Sequence, residues 1–319
     1  MKKNISLLLI IASIFTILTP SVFAATDKIV MINNHEISIT QKQYNNLLSL
    51  GFTDYQIKSM EQEEFDANKN LTAEVVAKNS KYIKVLEYYD VDEYNAYYNE
   101  DGSVRAVRSS KNPPSPIKVE EVELTKEQYE LESSVKSLPQ RVTMDSNTRN
   151  GEIGEATVDT AYKTMQTAIL KLGTGQYRAR NDLVWTQMPA NRGEDLLTTE
   201  VGTNVVPIDS TKYGKQIWTM CSGSSDCFDD NQVYSSTSSK WVNPDFYSRT
   251  LQPNLKDDEW IGLKHYNVTF LWIYMYYDLS KDYNGTINVL DAYGEYKHWR
   301  LDGYDSMPQT HAQATNVNW

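Results

Sequence analysis

Trp185, Arg192 and Asp195 fall within eleven residues, in Trp-Thr-Gln-Met-Pro-Ala-Asn-Arg-Gly-Glu-Asp. An indole face beside a guanidinium and a carboxylate is a combination that stacks on a ligand and hydrogen-bonds its hydroxyl or carboxylate groups. The plainer alternative is a local Arg192–Asp195 ion pair that fixes a strand crossover beneath a core tryptophan, since structural pairs outnumber sites. Ser280-x-Asp282-x-Asn284-Gly285, followed by Asp291, imitates a calcium loop. It has Ser at the first position and Asp, not the bidentate Glu, at the twelfth. Asn-Gly between two alternating runs is more simply a hairpin turn. Asp226, Asp229 and Asp230 could gather a cation or form a solvated acidic loop.

Other chemistry is poorly provided for. His35, His265, His298 and His311 are scattered without ligand spacing. The chain has no Gly-x-Ser-x-Gly, no Walker loop and no Gly-x-Gly-x-x-Gly. A glycosidase carboxylate pair is defined in space and cannot be read from a sequence. No catalytic residue, metal ligand or cofactor is therefore assigned, and a non-catalytic protein is expected. The two cysteines, Cys221 and Cys227, bracket a Gly/Ser loop and read as a disulfide in an oxidising compartment.

The elements that must hold these residues are mostly strands. From Tyr266 to Leu279, β-branched and aromatic residues occupy both faces of a period-two pattern, which predicts a strand covered on both sides. It is long enough to require a bend or bulge. Further strands are expected at 177–186, 215–221, 232–235, 259–263, 286–293 and 311–319, with a hairpin turn at Gly173-Thr174-Gly175. In the 177–186 strand Tyr177, Ala179, Leu183 and Trp185 alternate with arginines and polar residues. Thr157–Leu172 suits a helix or a strand equally by spacing. Nearer the start, Thr40-Gln41-Lys42-Gln43 and Thr53-Asp54-Tyr55-Gln56 are capping boxes that open short helices, and Thr125 to Gln128 repeats the pattern. Leu50, Phe52, Ile57, Met60 and Phe65 would form the core of that helical module. Lys81–Tyr89 reads as a strand, with Val104–Val107 as its return after Asp101-Gly102. Asn112-Pro113-Pro114-Ser115-Pro116 is a stiff linker.

Lys2 and Lys3, the apolar run Ile5–Leu18 and the small residues before Ala24 predict a signal peptide cut after Ala24. Export to the extracellular space follows, with no integral membrane segment in the mature chain. The chain of 319 residues carries 31 basic and 42 acidic groups, a net charge of −11. Such a balance disfavours nucleic acid and anionic lipid as partners. The expected organisation is 1–24 signal peptide, 25–111 small helical module with a β-hairpin, 112–156 Pro-rich linker and short helix, and 157–319 β-sandwich. The fold class is α+β: a small N-terminal helical and strand module followed by a C-terminal all-β sandwich-like domain.

Leu50-Gly51-Phe52-Thr53 with Glu63-Glu64-Phe65-Asp66-Ala67-Asn68-Lys69 resembles the N-terminal part of uncharacterised exported proteins of Gram-positive bacteria. Trp185-x-x-Met188-Pro189-x-x-Arg192-x-x-Asp195, Ala292-Tyr293-Gly294-Glu295-Tyr296-Lys297-His298 and the Trp-terminated tail resemble the C-terminal part of the same group. The resemblance implies a Thr/Ser-rich β domain, tips Thr157–Leu172 toward strand, and brings no activity with it.

Three functions fit these features. The first is a recognition β-sandwich for an unknown protein or glycan. The second is a carbohydrate-binding or carbohydrate-active protein using its many Trp and Tyr side chains, in a concave patch with exposed aromatics and a carboxylate. The third is a pore-forming protein, which the lack of a polar face on the central strand disfavours.

Overall fold

The computed structural model describes residues 28–100, 114–135, 138–144, 154–189, 192–223, 225–282, 286–300, 303–306, 309–317 and 319. The expected leader, the Val104–Val107 strand and the Asn284-Gly285 turn lie outside the described residues.

A two-stranded ribbon, β1 (Ile29–Ile32) with β2 (Ser38–Thr40), leads into helices α1 (Gln41–Ser49), α2 (Asp54–Lys58) and α3 (Gln62–Asn68). Helices α1 and α2 start at the expected caps. Thr40 and Thr53 accept hydrogen bonds from the backbone N–H groups of Gln43 and Gln56, whose side chains return the bond to the cap backbone. Gly51 then turns the chain at φ 82°, a conformation that any Cβ would strain.

The rest is largely strand. β3 (Glu74–Asp90) runs into α4 (Val91–Tyr97), and β4 (Lys118–Leu124) runs into α5 (Lys126–Ser133), which opens on the expected Thr125–Gln128 box. The sequence continues as β5 (Gln140–Met144), β6 (Gly154–Gly173), β7 (Gln176–Gln187), β8 (Leu196–Val201) and β9 (Val205–Pro207). β10 (Tyr213–Ser222), β11 (Asp226–Tyr234), β12 (Trp241–Val242), β13 (Ser248–Leu251) and β14 (Glu259–Ile261) follow. The last are β15 (Lys264–Lys281), β16 (Val289–Arg300), β17 (Gly303–Ser306) and β18 (Thr310–Thr315). The segment ambiguous by spacing, Thr157–Leu172, is therefore strand.

Ten strands form one antiparallel sheet in the order β11-β10-β15-β7-β6-β3-β4, with β5 on β6 and β9 and β14 on β15. Six form a second, β12-β13-β8-β16-β17, with β18 on β16. The two pack face to face. Leu183, Ile273, Met275 and Tyr277 of the large sheet meet Leu197, Leu251, Leu290 and Ala314 of the small one in a continuous apolar core. Gly294 lets β16 approach closely, because a Cβ there would fall 2.0 Å from Thr167 Oγ1.

β15 is the long central strand foreseen, and both its faces are covered. Leu271, Ile273 and Met275 enter the inter-sheet core, while Tyr274 and Tyr276 lie under the helices. The expected irregularity is present as a register shift at Thr269, opposite Thr219 and Met220. It turns Val268 inward, off the face that carries Phe270 and Trp272.

Two expectations are corrected. β15 and β16 lie in different sheets, so no hairpin joins them across Asn284-Gly285. The boundary at 157 does not separate two cores either. β3 pairs with β6 along nearly its whole length, and β4 extends the same sheet. Ile39, Leu47, Leu50, Phe52 and Ile57 of the helical module share a cluster with Tyr213, Ile217, Tyr274 and Tyr276. The helices are too small to close a core of their own and use the large sheet as their floor.

Cys221 and Cys227 are bridged, directly opposite each other near the end of the β10–β11 hairpin. A loop this short limits the entropic gain to about 2 kcal/mol. The Cys221→Ser, Cys227→Ser double variant is therefore expected to stay folded and lose no more than that in urea unfolding.

Candidate functional site

The three residues singled out for a ligand do not form a site. Trp185 is 0% exposed and points into the inter-sheet core, where its Nε1 donates to Tyr296 Oη at 3.2 Å. Asp195 is equally buried. It accepts a short hydrogen bond from Tyr296, and His298 Nδ1 lies 3.0 Å from its Oδ2. Lys163 Nζ sits 5.2 Å from both the Trp185 and Tyr296 rings and is 2.5 Å from Glu121 Oε1. Burial, and then the Asp195 carboxylate, push the Tyr296 hydroxyl well above its ordinary range. The arrangement is a polar knot inside the sandwich, shut off from solvent. The expected stacking role of Trp185 is thus corrected, because the period that placed it opposite the arginines faces it toward the second sheet.

Arg192 goes elsewhere. Its guanidinium lies 2.6 Å from Asp258 and 3.5 Å from Asp257, and does not pair with Asp195. Asp258 also accepts from the backbone N–H of Val268 at 2.7 Å, beside the β15 bulge. Arg192 therefore ties the loop before β14 to the point where β15 changes face. The calcium-like run fares no better as a site: His311 Nε2 and Gln313 Nε2 each lie 2.8 Å from Asp291 Oδ1. Asp229 and Asp230, consecutive on β11, point to opposite faces, and Asp226 is held by Lys264 and Tyr266. Among the described residues no group of three metal-ligating side chains comes together.

The concave feature with an aromatic wall and a carboxylate lies on the other face of the large sheet. The arginines of β7, read as the polar face of that strand, are buried under the helices. Arg180 Nε and Nη2 donate to the two oxygens of Asp182 at 2.8 Å; Nη2 also donates to Gln56 Oε1, and Nη1 donates to Leu50 O. Its guanidinium also lies over the rings of Phe52 and Tyr274. Glu64 of α3 accepts from Tyr274 at 2.6 Å and Tyr213 at 3.0 Å, with Lys215 Nζ 3.5 Å away. Burial lowers the Lys215 ammonium, against the attraction of Glu64. These contacts hold the helices down at one side of the sheet. On the other side Tyr129 of α5 packs against Tyr82 and Tyr162.

Between these two covers the sheet is bare, and a trough of about 340 Å³ opens there. Thr164 and Gln166 of β6 and Val184 of β7 form a half-buried floor, and Gly51 and Thr53 form one rim. Trp272 closes the side. Its ring is stacked near Tyr55 and edge-on to Phe270, and its Nε1 donates to Asp182 at 3.1 Å. The Asp182 carboxylate, already bonded to Arg180, Gln56 and Trp272, positions the indole. What remains for a ligand is an aromatic edge, hydroxyl and amide groups at the floor, and Lys78. Trp185 is therefore core, and Trp272 walls a trough that also carries a carboxylate, while a second hollow of about 270 Å³ is lined by Tyr213, Tyr276, Glu63, Glu64 and Asp278. The signal for the floor is the alternation Thr164-x-Gln166 on a strand whose other face, Met165 and Thr167, is wholly buried.

No protein-family model matches this chain, and no curated protein does. Among solved structures it is similar to the collagen-binding subdomain of the Enterococcus faecalis surface protein ACE, at 9% identity and a TM-score of 0.26, over 45% of this chain and 90% of that one. It is also similar to the collagen-binding domain of Erysipelothrix rhusiopathiae surface protein RspB, at 5% identity and a TM-score of 0.27, over 56% and 73%. A third is the C-terminal domain of the Streptococcus pyogenes antigen I/II-family protein AspA, at 9% identity and a TM-score of 0.25, over 72% and 84%. At such scores the likeness is one of antiparallel β-sheets and carries no ligand with it.

Proposed function

We propose that the chain is an exported, non-catalytic recognition protein that holds a glycan in the trough against Trp272. The observation that carries the reading is the trough itself: an indole fixed by Asp182, next to hydroxyl and amide groups, with Lys78 also in the lining. Sugars offer an apolar C–H face and a rim of hydroxyls, and such a surface answers both. The Asp195–His298 pair, which could suggest catalysis, has no solvent access and serves the inter-sheet core. The leader and the disulfide support an extracellular setting.

A glycan array, followed by affinity electrophoresis through the best polysaccharide, tests this. Trp272→Ala is expected to weaken retention at least about tenfold, roughly 1.4 kcal/mol, while the protein stays folded. Trp185→Ala is expected instead to cost about 3–5 kcal/mol of stability, because it opens a cavity in the sandwich. Absence of retention on every glycan, or retention unchanged in Trp272→Ala, would sink the proposal.

A further inference from the structure

Three exposed apolar side chains, among them the most exposed of the described residues, gather at one point away from the trough. β14 and β15 form a hairpin in which Ile261 pairs with Lys264, leaving Gly262 and Leu263 as a two-residue loop. Gly262 has φ 64° at the first loop position, the backbone that lets so short a loop follow the twist of the strands. The tip is therefore a defined structure. Trp260 is 60% exposed, Ile261 45% and Leu263 97%. Trp260 rests against His265, its cross-strand neighbour, at 5.1 Å. Ile261, the next residue along, faces the opposite side of the ribbon, and Leu263 projects from the end.

This geometry discriminates between occupants. A protein groove grips one face of a ribbon, whereas here apolar groups point to both faces and off the tip. A fluid apolar phase can surround all three at once. Charge narrows the surface further. Lys264, Lys256 and Arg192, around the tip, are each paired with a carboxylate, respectively Asp226, Glu259 and Asp258. With the acidic excess of the whole chain, nothing here would draw an anionic surface. An exposed indole suits the boundary between headgroups and acyl chains, where it finds both an apolar and a polar neighbour. No helix among the described residues is long and apolar enough to cross a membrane.

We propose that the Trp260–Leu263 tip docks the protein onto zwitterionic lipid bilayers by shallow insertion into the interfacial layer. The test uses the full mature chain and phosphatidylcholine vesicles. Co-sedimentation is expected to be insensitive to salt, and brominated acyl chains should quench part of the tryptophan fluorescence. Leu263→Asp, at a position with no packing to lose, should lower the bound fraction at least tenfold, and Trp260→Ala should lower it severalfold with loss of the quenching. Trp272→Ala should bind vesicles as the unaltered chain does, which separates this site from the trough. Three outcomes would each overturn the proposal: no binding to neutral vesicles, equal binding by Leu263→Asp, or binding only to anionic vesicles that salt removes. Release of an entrapped dye would also overturn it, because a docked tip leaves the bilayer closed.

Discussion

A fragment running from Asn150 to Trp319 is expected not to fold by itself, although it contains both sheets' central strands and the disulfide. Cutting there removes β3, the partner of β6 from Ala156 to Lys171, and leaves one edge of β6 as a long row of unpaired backbone groups. It also uncovers Tyr213, Ile217, Tyr274 and Tyr276, which α1 to α3 cover. The loss at the buried charges is sharper still. Arg180 would lose Leu50 O and Gln56, Arg178 would lose Asn68, and Lys215 would lose Glu64 and Ser59 O. Exposed cations and tyrosines on a half-stripped sheet favour aggregation over a native state. The fragment should be insoluble on expression, and the Ala25–Pro139 piece should show little cooperative structure. The whole mature chain should unfold in one transition. A single side chain can report on the same joint. Arg180→Met leaves Asp182 buried without its cation and is expected to cost about 3–5 kcal/mol. Soluble 150–319 protein that unfolds cooperatively near the temperature of the intact chain would restore the two-domain organisation.

That organisation shows where a sequence stops being informative. The threonine–glutamine caps, the Gly173–Gly175 hairpin, the disulfide and the double-sided strand β15 were all legible, because each depends on residues close together in the chain. β15 even revealed its bulge through length alone. The joint between helices and sheet was not legible. Arg178 and Arg180 alternate with apolar residues on β7, and such a pattern ordinarily means a solvated face. Only the tertiary fold brings Gln56, Asn68 and the Leu50 carbonyl onto them. The same limit hid the place of Trp185. Which face of the sheet would meet a second sheet and which would be left partly bare between α1–α3 and α5 depends on contacts more than 80 residues apart in the chain, such as Trp272 with Asp182 and Trp185 with Tyr296. The Ala292-Tyr293-Gly294-Glu295-Tyr296 run acquires its reason in the same way, with Ala292, Gly294 and Tyr296 facing the narrow gap between sheets.

The abundance of tyrosine, bland as composition, leads to the largest expected effect. Tyr89, Tyr94, Tyr98, Tyr213, Tyr274, Tyr276, Tyr277 and Tyr296 are deeply placed, and burial raises the hydroxyl of each above its ordinary value of 10.0. Glu64 adds to the rise for Tyr213, Tyr274 and Tyr276, as Asp195 does for Tyr296. Above pH 10 the unfolded chain releases these protons while the folded one keeps them. The folded state then binds more protons, so stability is fully present below pH 10 and falls as pH rises toward the folded values. Each group contributes about 1.4 kcal/mol per pH unit, and eight together about 11 kcal/mol, comparable to the entire stability of an ordinary domain. Lys215 acts in the opposite sense: its lowered folded value makes stability rise with pH up to its ordinary 10.5. One group cannot offset eight. The protein is therefore expected to unfold abruptly within about one pH unit above 10, with tyrosinate absorbance and the loss of β-sheet circular dichroism changing in a single coincident step. Replacing Tyr274 by Phe, which removes one of these hydroxyls, should make that step less steep. Tyrosines that titrate gradually while the circular dichroism persists well above pH 10 would mean that these hydroxyls are far more accessible than their packing implies.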